Sequence, residues 1–272
     1  MPSNNEIILS VRGATKSFKS KKGDNQVLRG VDFEIRRGQI FALLGSNGAG
    51  KTTTVRALTT LGSFDEGVAT ICGYDLKTEH RKIREVISLT GQYAAVDENL
   101  TGRENMDLVA KLRGLKNYRD TVNDLLARFN LTEAADKRVK TYSGGMRRKL
   151  DLGMSLIAEP QIIFLDEPTT GLDPQSRLAL WSVIRGLRDR GTTILLTTQY
   201  LEEAEALADY VAVLHDGKII KGGTVNELKS IAPPRMVMQS ASLEDVFLIL
   251  IGEKQLDGEY EEPETENQKG GK

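Results

Sequence analysis

Residues 40–58 constrain this chain more than any other segment. Residues 40–44 (IFALL) are wholly apolar, as suits a strand buried on both faces of a parallel sheet. Gly45-Ser46-Asn47-Gly48-Ala49-Gly50-Lys51-Thr52 follows at once, and from there, through Thr53, the pattern is helical. A strand, a glycine-rich loop and a helix in that order open a phosphate-binding α/β unit. Glycines let backbone N–H groups turn inward around a β-phosphate. A lysine at position 51 reaches the β- and γ-phosphates, and a hydroxyl at position 52 ligates magnesium. Residues 45–53 are therefore the expected ATP contacts. A bare glycine turn is the rival reading, and the flanking strand and helix count against it.

A second motif, residues 162–168 (IIFLDEP), ends an apolar run in two carboxylates. This describes a buried strand whose C-terminal end delivers acids to the switch point of a sheet. Asp166 is expected in the magnesium shell. Glu167 is expected to orient the attacking water and accept its proton. A third motif, Tyr142-Ser143-Gly144-Gly145-Met146, opens a helix with a hydroxyl and two glycines, which makes an anion site at its N-terminus. One domain already has its phosphate loop. Ser143, Gly144, Gly145 and Met146 are therefore expected to face the nucleotide of a second copy of the chain, in a head-to-tail dimer.

Around these motifs, residues 7–12, 31–35, 86–90, 193–197 and 211–214 read as further strands, and 19–26 as a polar, turn-rich connection. From 101 to 158 the spacing is helical. Thr101 with Glu104 makes a capping box, Met106, Leu108, Val109 and Leu112 mark an apolar face, and Leu125, Leu126 and Phe129 mark a second helix. The predicted organisation is an ATPase domain over 1–228 with a helical subdomain inserted at about 93–158. A helix capped by Thr224 and Glu227 precedes a short extension at 229–252, which holds an amphipathic helix at 243–250. The acidic tail, 253–272, is expected to be disordered.

Composition narrows the function. The 272 residues carry 37 basic and 38 acidic side chains, so the basic excess of a nucleic-acid binder is missing. Cys72 is the one cysteine, which rules out an internal disulfide and reads as a small buried hydrophobe. No run approaches the roughly 20 apolar residues that span a bilayer, and the first residues lack the pattern of a secretion signal. The chain is expected to be soluble by itself, with any membrane pore supplied by another polypeptide.

The phosphate loop, Gln92, the SGG motif, the acidic strand and Gly171-Leu172-Asp173-Pro174 occur in the order and approximate spacing of ABC ATPases, and the chain resembles that family over about 7–228. The resemblance implies a RecA-like P-loop α/β core with an N-terminal antiparallel β subdomain and an inserted helical subdomain. It implies that Phe18 stacks on adenine, and that Gln92 touches magnesium and water while linking the core to the helical subdomain. Asp173 would contact the opposite protomer, and 99–105 would lie where such proteins meet their membrane partner. The family usually places a histidine after the next strand, against the γ-phosphate; this chain has Gln199 there. YSGGM, TGQYAAVDENLTGREN and SLEDVFL are similar to the daunorubicin-resistance type, whose C-terminal domain is shortened here. The implied function is ATP hydrolysis driving a separate transmembrane permease, with export of a drug or other amphiphile from the cytoplasmic face of the membrane. The implied catalytic set is Glu167, Lys51 and Gln199, and the implied cofactor is Mg2+, held by Thr52, Gln92 and Asp166. A soluble ATPase acting on ribosomes or DNA is the alternative; one ATPase unit and balanced charge disfavour it.

Overall fold

The structure is a computed structural model that describes residues 6–20 and 23–231. In chain order, a hairpin of β1 (Ile7–Ser20) and β2 (Gly23–Arg36) leads into β3 (Ile40–Leu44) and α1 (Lys51–Leu58). Next come β4 (Glu66–Ile71), β5 (Tyr74–Asp75), α2 (His80–Val86) and β6 (Ile87–Thr90). A helical stretch follows: α3 (Gly102–Leu112), α4 (Arg119–Arg128) and α5 (Gly144–Leu156). The chain then returns to the sheet through β7 (Ile162–Asp166), α6 (Pro174–Asp189), β8 (Thr193–Thr198), α7 (Leu201–Leu207), β9 (Tyr210–His215), β10 (Lys218–Gly223) and α8 (Val225–Lys229).

Two sheets result. One is antiparallel, in the order β2-β1-β4-β5. The other runs β10-β9-β3-β8-β7-β6, with β9, β3, β8, β7 and β6 parallel and β10 antiparallel at one edge. The apolar runs are explained by two-sided burial. Phe41 and Leu43 of β3, with Ile162 and Phe164 of β7, enter a core shared with the antiparallel sheet and with Val55 and Leu58 of α1. Ile40, Ala42, Ile163 and Leu165 point the other way, into a core shared with α6 and the helical stretch. The RecA-like α/β architecture, the N-terminal antiparallel β layer and the inserted helices are all present.

Several local expectations are corrected. Residues 19–20 and 23–26 are strand rather than loop: Lys16 pairs with Leu28, Phe18 with Asn25 and Lys19 with Asp24. Cross-strand hydrogen bonds satisfy the backbone there whatever the side chains are, so polarity alone misreads the element. The buried face of α3 is Gly102, Asn105, Met106 and Ala110, whereas Leu108 and Leu112 are exposed at 45% and 77%. Asn105 takes a core place because its amide donates to the carbonyls of Asp97 and Thr101 and its oxygen accepts from Asp97 N. Cys72 is half-buried at φ 52°, and burial pushes its thiol up to about 11. The expected helix at 243–250 and the acidic tail lie outside the described residues.

The capping box at the start of α3 is formed in full. Thr101 Oγ1 accepts from Glu104 N at 3.1 Å, and Glu104 Oε2 accepts from Thr101 N at 2.8 Å. Thr101→Ala should cost about 1 kcal/mol, which for a domain of this size lowers Tm by roughly 2–4 °C. Thr101→Ser should melt close to wild type. Equal melting of the alanine variant and wild type in a thermal scan would show that the cap adds nothing.

Candidate nucleotide site

The parallel register brings three strand ends together. Leu44 of β3 lies opposite Thr198 of β8, and Thr197 of β8 lies opposite Asp166 of β7. The loop at 45–50 leaves β3 and is pinned by Gly45 N donating to Thr198 O at 3.1 Å. Glycine is required at both ends of this loop. A Cβ on Gly45 would meet Leu214 O at 2.4 Å, and Gly50 has φ 110° with Leu28 Cδ2 2.6 Å from where a Cβ would stand. Gly50 stands at the N-cap of α1, and no side-chain cap accepts from the amides there. The amides of that turn are left for an anion.

Lys51, only 4% exposed, donates from Nζ to Gly45 O at 2.8 Å and Ser46 O at 3.2 Å, and pairs with Glu167 Oε1 at 3.3 Å. Asp166 Oδ1 accepts from Thr52 Oγ1 at 3.2 Å and from Thr197 Oγ1 at 2.5 Å. Thr52 and Asp166 thus put a hydroxyl and a carboxylate oxygen side by side. Magnesium favours such hard oxygens, and it is usually held by one or two carboxylates together with substrate phosphates. The donor set therefore fits that ion.

Glu167, 9% exposed, has φ 48°. For a non-glycine residue this left-handed backbone costs about 1–2 kcal/mol. It is held there from several sides. Glu167 N donates to both Thr197 O and Thr197 Oγ1 at 3.1 Å, and Glu167 O accepts from Thr170 N at 3.3 Å. The turn aims the carboxylate. Oε1 faces Lys51, and Oε2 accepts long bonds, 3.4 Å each, from Gln92 Nε2 and Thr170 Oγ1. Lys51, Thr52, Gln92, Asp166 and Glu167 are thus brought together.

Gln199 directly follows β8 at the same sheet end and is half-buried. It does not cap the next helix: α7 begins after Tyr200, and Tyr200 N is bonded by Thr198 Oγ1 at 3.0 Å. Phe18 stands on the β1–β2 hairpin, 49% exposed, with Lys16 Nζ 5.7 Å from its ring centroid. His80 and His215 are both exposed and elsewhere.

The SGG residues form a second group. Ser143 Oγ caps α5 by accepting from Met146 N at 3.2 Å. A Cβ on Gly145 would meet Ser176 Oγ at 2.6 Å, and Leu172 Cδ2 lies 3.8 Å from a Cβ on Gly144. Asp173 caps α6 by accepting from Ser176 N at 2.9 Å, and the Ser176 side chain, then this backbone bond, hold its carboxyl below the usual range. Ser143, Gly144, Gly145 and Asp173 therefore share one ridge made of two helix starts.

Sequence reasoning missed two buried groups behind the site. Arg148 of α5, 5% exposed, donates to Pro168 O at 2.7 Å, Gly91 O at 2.6 Å and Glu167 O at 3.4 Å. Asp151 lies 3.6 Å from it. Burial pushes the Arg148 guanidinium below its usual value and the Asp151 carboxyl up to about 6. The second group is Glu203, 1% exposed, whose Oε1 accepts from Thr169 Oγ1 at 2.8 Å and Trp181 Nε1 at 3.2 Å. In sequence, Arg148 sits in a basic run that reads as a solvated helix face, and Glu203 in an acidic one. No periodicity marks either as buried.

Known proteins match this arrangement. Residues 28–170 fit the ABC transporter family. The chain is 48% identical over 227 residues to the daunorubicin resistance ATP-binding protein DrrA3 of Streptomyces coeruleorubidus, covering 83% of this chain and 71% of that one. It is 41% identical over 223 residues to the Nod factor export ATP-binding protein I of Ralstonia nicotianae, covering 81% and 68%. Among solved structures, an ATP-binding subunit of an ABC transporter superposes with a TM-score of 0.72 at 29% identity, covering 90% of this chain and 99% of that one. A dimeric ATP-binding cassette in a post-hydrolysis state, bound to ADP and Pi, gives 0.72 at 22% identity, covering 80% and 98%. The chain belongs to the ABC transporter family, as one of its ATPase domains.

Proposed function

We propose that this chain is the ATP-hydrolysing subunit of an exporter, working as a pair of copies that close around two ATP molecules and drive a separate transmembrane permease. One observation carries the reading most strongly: the Glu167 carboxylate is held between Lys51 Nζ and Gln92 Nε2, beside the Thr52–Asp166 pair. In hydrolysis, Glu167 orients the attacking water and takes its proton. Lys51 and the loop amides stabilise the charge on the transferred phosphoryl group. Thr52, Asp166 and Gln92 would hold Mg2+, whose contribution when bound is to neutralise phosphate charge. Phe18 would stack on adenine. Ser143, Gly144, Gly145 and Met146, with Asp173, would close over the nucleotide of the opposite copy. The ATPase unit on this reading is 1–228, with 93–158 as the inserted subdomain.

Export rather than ribosome- or DNA-directed work is supported by the relatives described above, named for drug resistance and Nod factor export. Among the described residues no helix is long and apolar enough to cross a membrane. The permease would supply the pore and hold this subunit at the cytoplasmic face.

Glu167→Gln keeps the side-chain shape and removes the proton acceptor. ATP binding should persist, turnover should fall at least a hundredfold, and the variant should run as an ATP-bound dimer on size exclusion with magnesium and ATP. A variant that stays monomeric under those conditions counts against the two-copy sandwich.

Gln199 can donate a hydrogen bond to the γ-phosphate but cannot carry charge. Gln199→Ala should lower turnover at least tenfold with little change in ATP affinity. Gln199→His should keep activity and add an ionisation between about pH 6 and 7 to the rate profile. Comparing pH–rate profiles of the three proteins at saturating ATP checks this; an alanine variant as fast as wild type ends the sensor role.

A further inference from the structure

Arg148 is among the most buried cations in the described fold, and its three carbonyl partners are not scattered. Gly91 immediately precedes Gln92; Glu167 is the proposed water-orienting residue; Pro168 follows it. All three carbonyls belong to the two segments that aim side chains at the γ-phosphate position. A guanidinium is suited to this, since its planar fork presents five donors at fixed angles, whereas an ammonium reaches such a set only as a point charge. Asp151, one turn further along α5, lies 3.6 Å from Nη1, the same nitrogen that donates to Gly91 O. Asp151 is itself anchored, its Oδ1 accepting from Ala95 N at 3.2 Å, three residues beyond Gln92. Asp151 Oδ2 is buried and makes no hydrogen bond within the described fold, so the pair is held by charge and enclosure. Burying two charges is costly unless they are paired and their donors are used.

The left-handed backbone at Glu167 gives this clamp a task. Its amide is fixed from β8 through Thr197, and its carbonyl and that of Pro168 are fixed from α5 through Arg148. Without the second anchor, Thr170 N alone would hold the Glu167 carbonyl, and the peptide would be free to relax and carry the carboxylate away from Lys51 and Gln92. The same helix carries Ser143 at its N-cap, five residues before Arg148. We infer that Arg148, oriented by Asp151, is a positioning residue for hydrolysis: it sets the Glu167 and Gln92 segments against the helix that presents the SGG motif. This rests on the role proposed for Glu167.

The test uses the full chain with Mg2+ and ATP. Arg148→Lys keeps the charge and loses the fork. We expect kcat per nucleotide-binding site, with sites counted by titration of a fluorescent ATP analogue, to fall tenfold or more while KM and the analogue's affinity stay within twofold. Counting sites removes any unfolded fraction, which by itself would lower apparent kcat at unchanged KM. In single-turnover assays, adding Arg148→Lys to Glu167→Gln should slow the reaction by less than twofold further, because Arg148 acts through Glu167. Wild-type kcat in Arg148→Lys, or losses that multiply in the double variant, overturns the inference. Glu167→Gln with wild-type turnover instead overturns the reading of Glu167, whatever Arg148 does. If Arg148→Lys shows no cooperative melt, Asp151→Asn decides. A threefold or greater fall in kcat at unchanged KM supports the inference, and an unchanged kcat overturns it.

Discussion

The site depends on the parallel pairing of β3, β8 and β7. Neighbouring strands stand about 4.8 Å apart, and β8 lies between the other two. The phosphate loop on β3 and the carboxylates on β7 are thus separated by two strand spacings, about 10 Å. That gap is bridged from both sides. Lys51 and Thr52, at the start of α1, reach across to Glu167 and Asp166, and Thr197 fills the middle with hydrogen bonds to both acids. A shift of one residue in the pairing would turn Thr197 to the other face of the sheet and break both contacts.

The parts written in short-range chemistry were legible in the sequence. The apolar run at 40–44 became a strand over those residues, because two-sided burial demands continuous hydrophobicity. The acidic pair at 166–167 fell at a strand end, and the capping box at Thr101 formed as read, because a cap is specified by residues three apart. What stayed hidden is set by tertiary partners. Arg148 and Glu203 look like surface charges, and their burial is matched by three carbonyls, a hydroxyl and an indole N–H 19 to 57 residues away along the chain. Leu108 and Leu112 misled for the converse reason: an apolar face was inferred from residue type, while the space beneath α3 was filled by Asn105 and Ala110. Family likeness marked Gln92, Phe18 and Asp173, which no local pattern singles out.

The placement of functional groups divides the molecule by type of support. Groups beside the phosphate loop come from the ends of parallel strands, where the sheet fixes the backbone. Ser143, Gly144, Gly145 and Asp173 come from helix starts, and their order rests on caps and on the close approach of Gly145 to Ser176. Arg148 joins the two kinds of support, since it is carried by α5 yet bonded to the turns after β6 and β7.

The central position of β3 also governs the order in which the protein can be completed. Its two neighbours in the sheet, β8 and β9, are late in the sequence; Ile40 pairs with Ile194 and Phe41 with Tyr210. At ordinary synthesis speeds of roughly 5–20 residues per second, about 150 residues take about 8–30 seconds to emerge. Through that interval the strand beneath the phosphate loop has both edges unpaired and its apolar faces only partly covered by the hairpin and α1. The loop is among the first functional segments made and among the last to gain its support, and until β8 and β9 arrive an unpaired β3 is the kind of exposed edge on which growing chains aggregate.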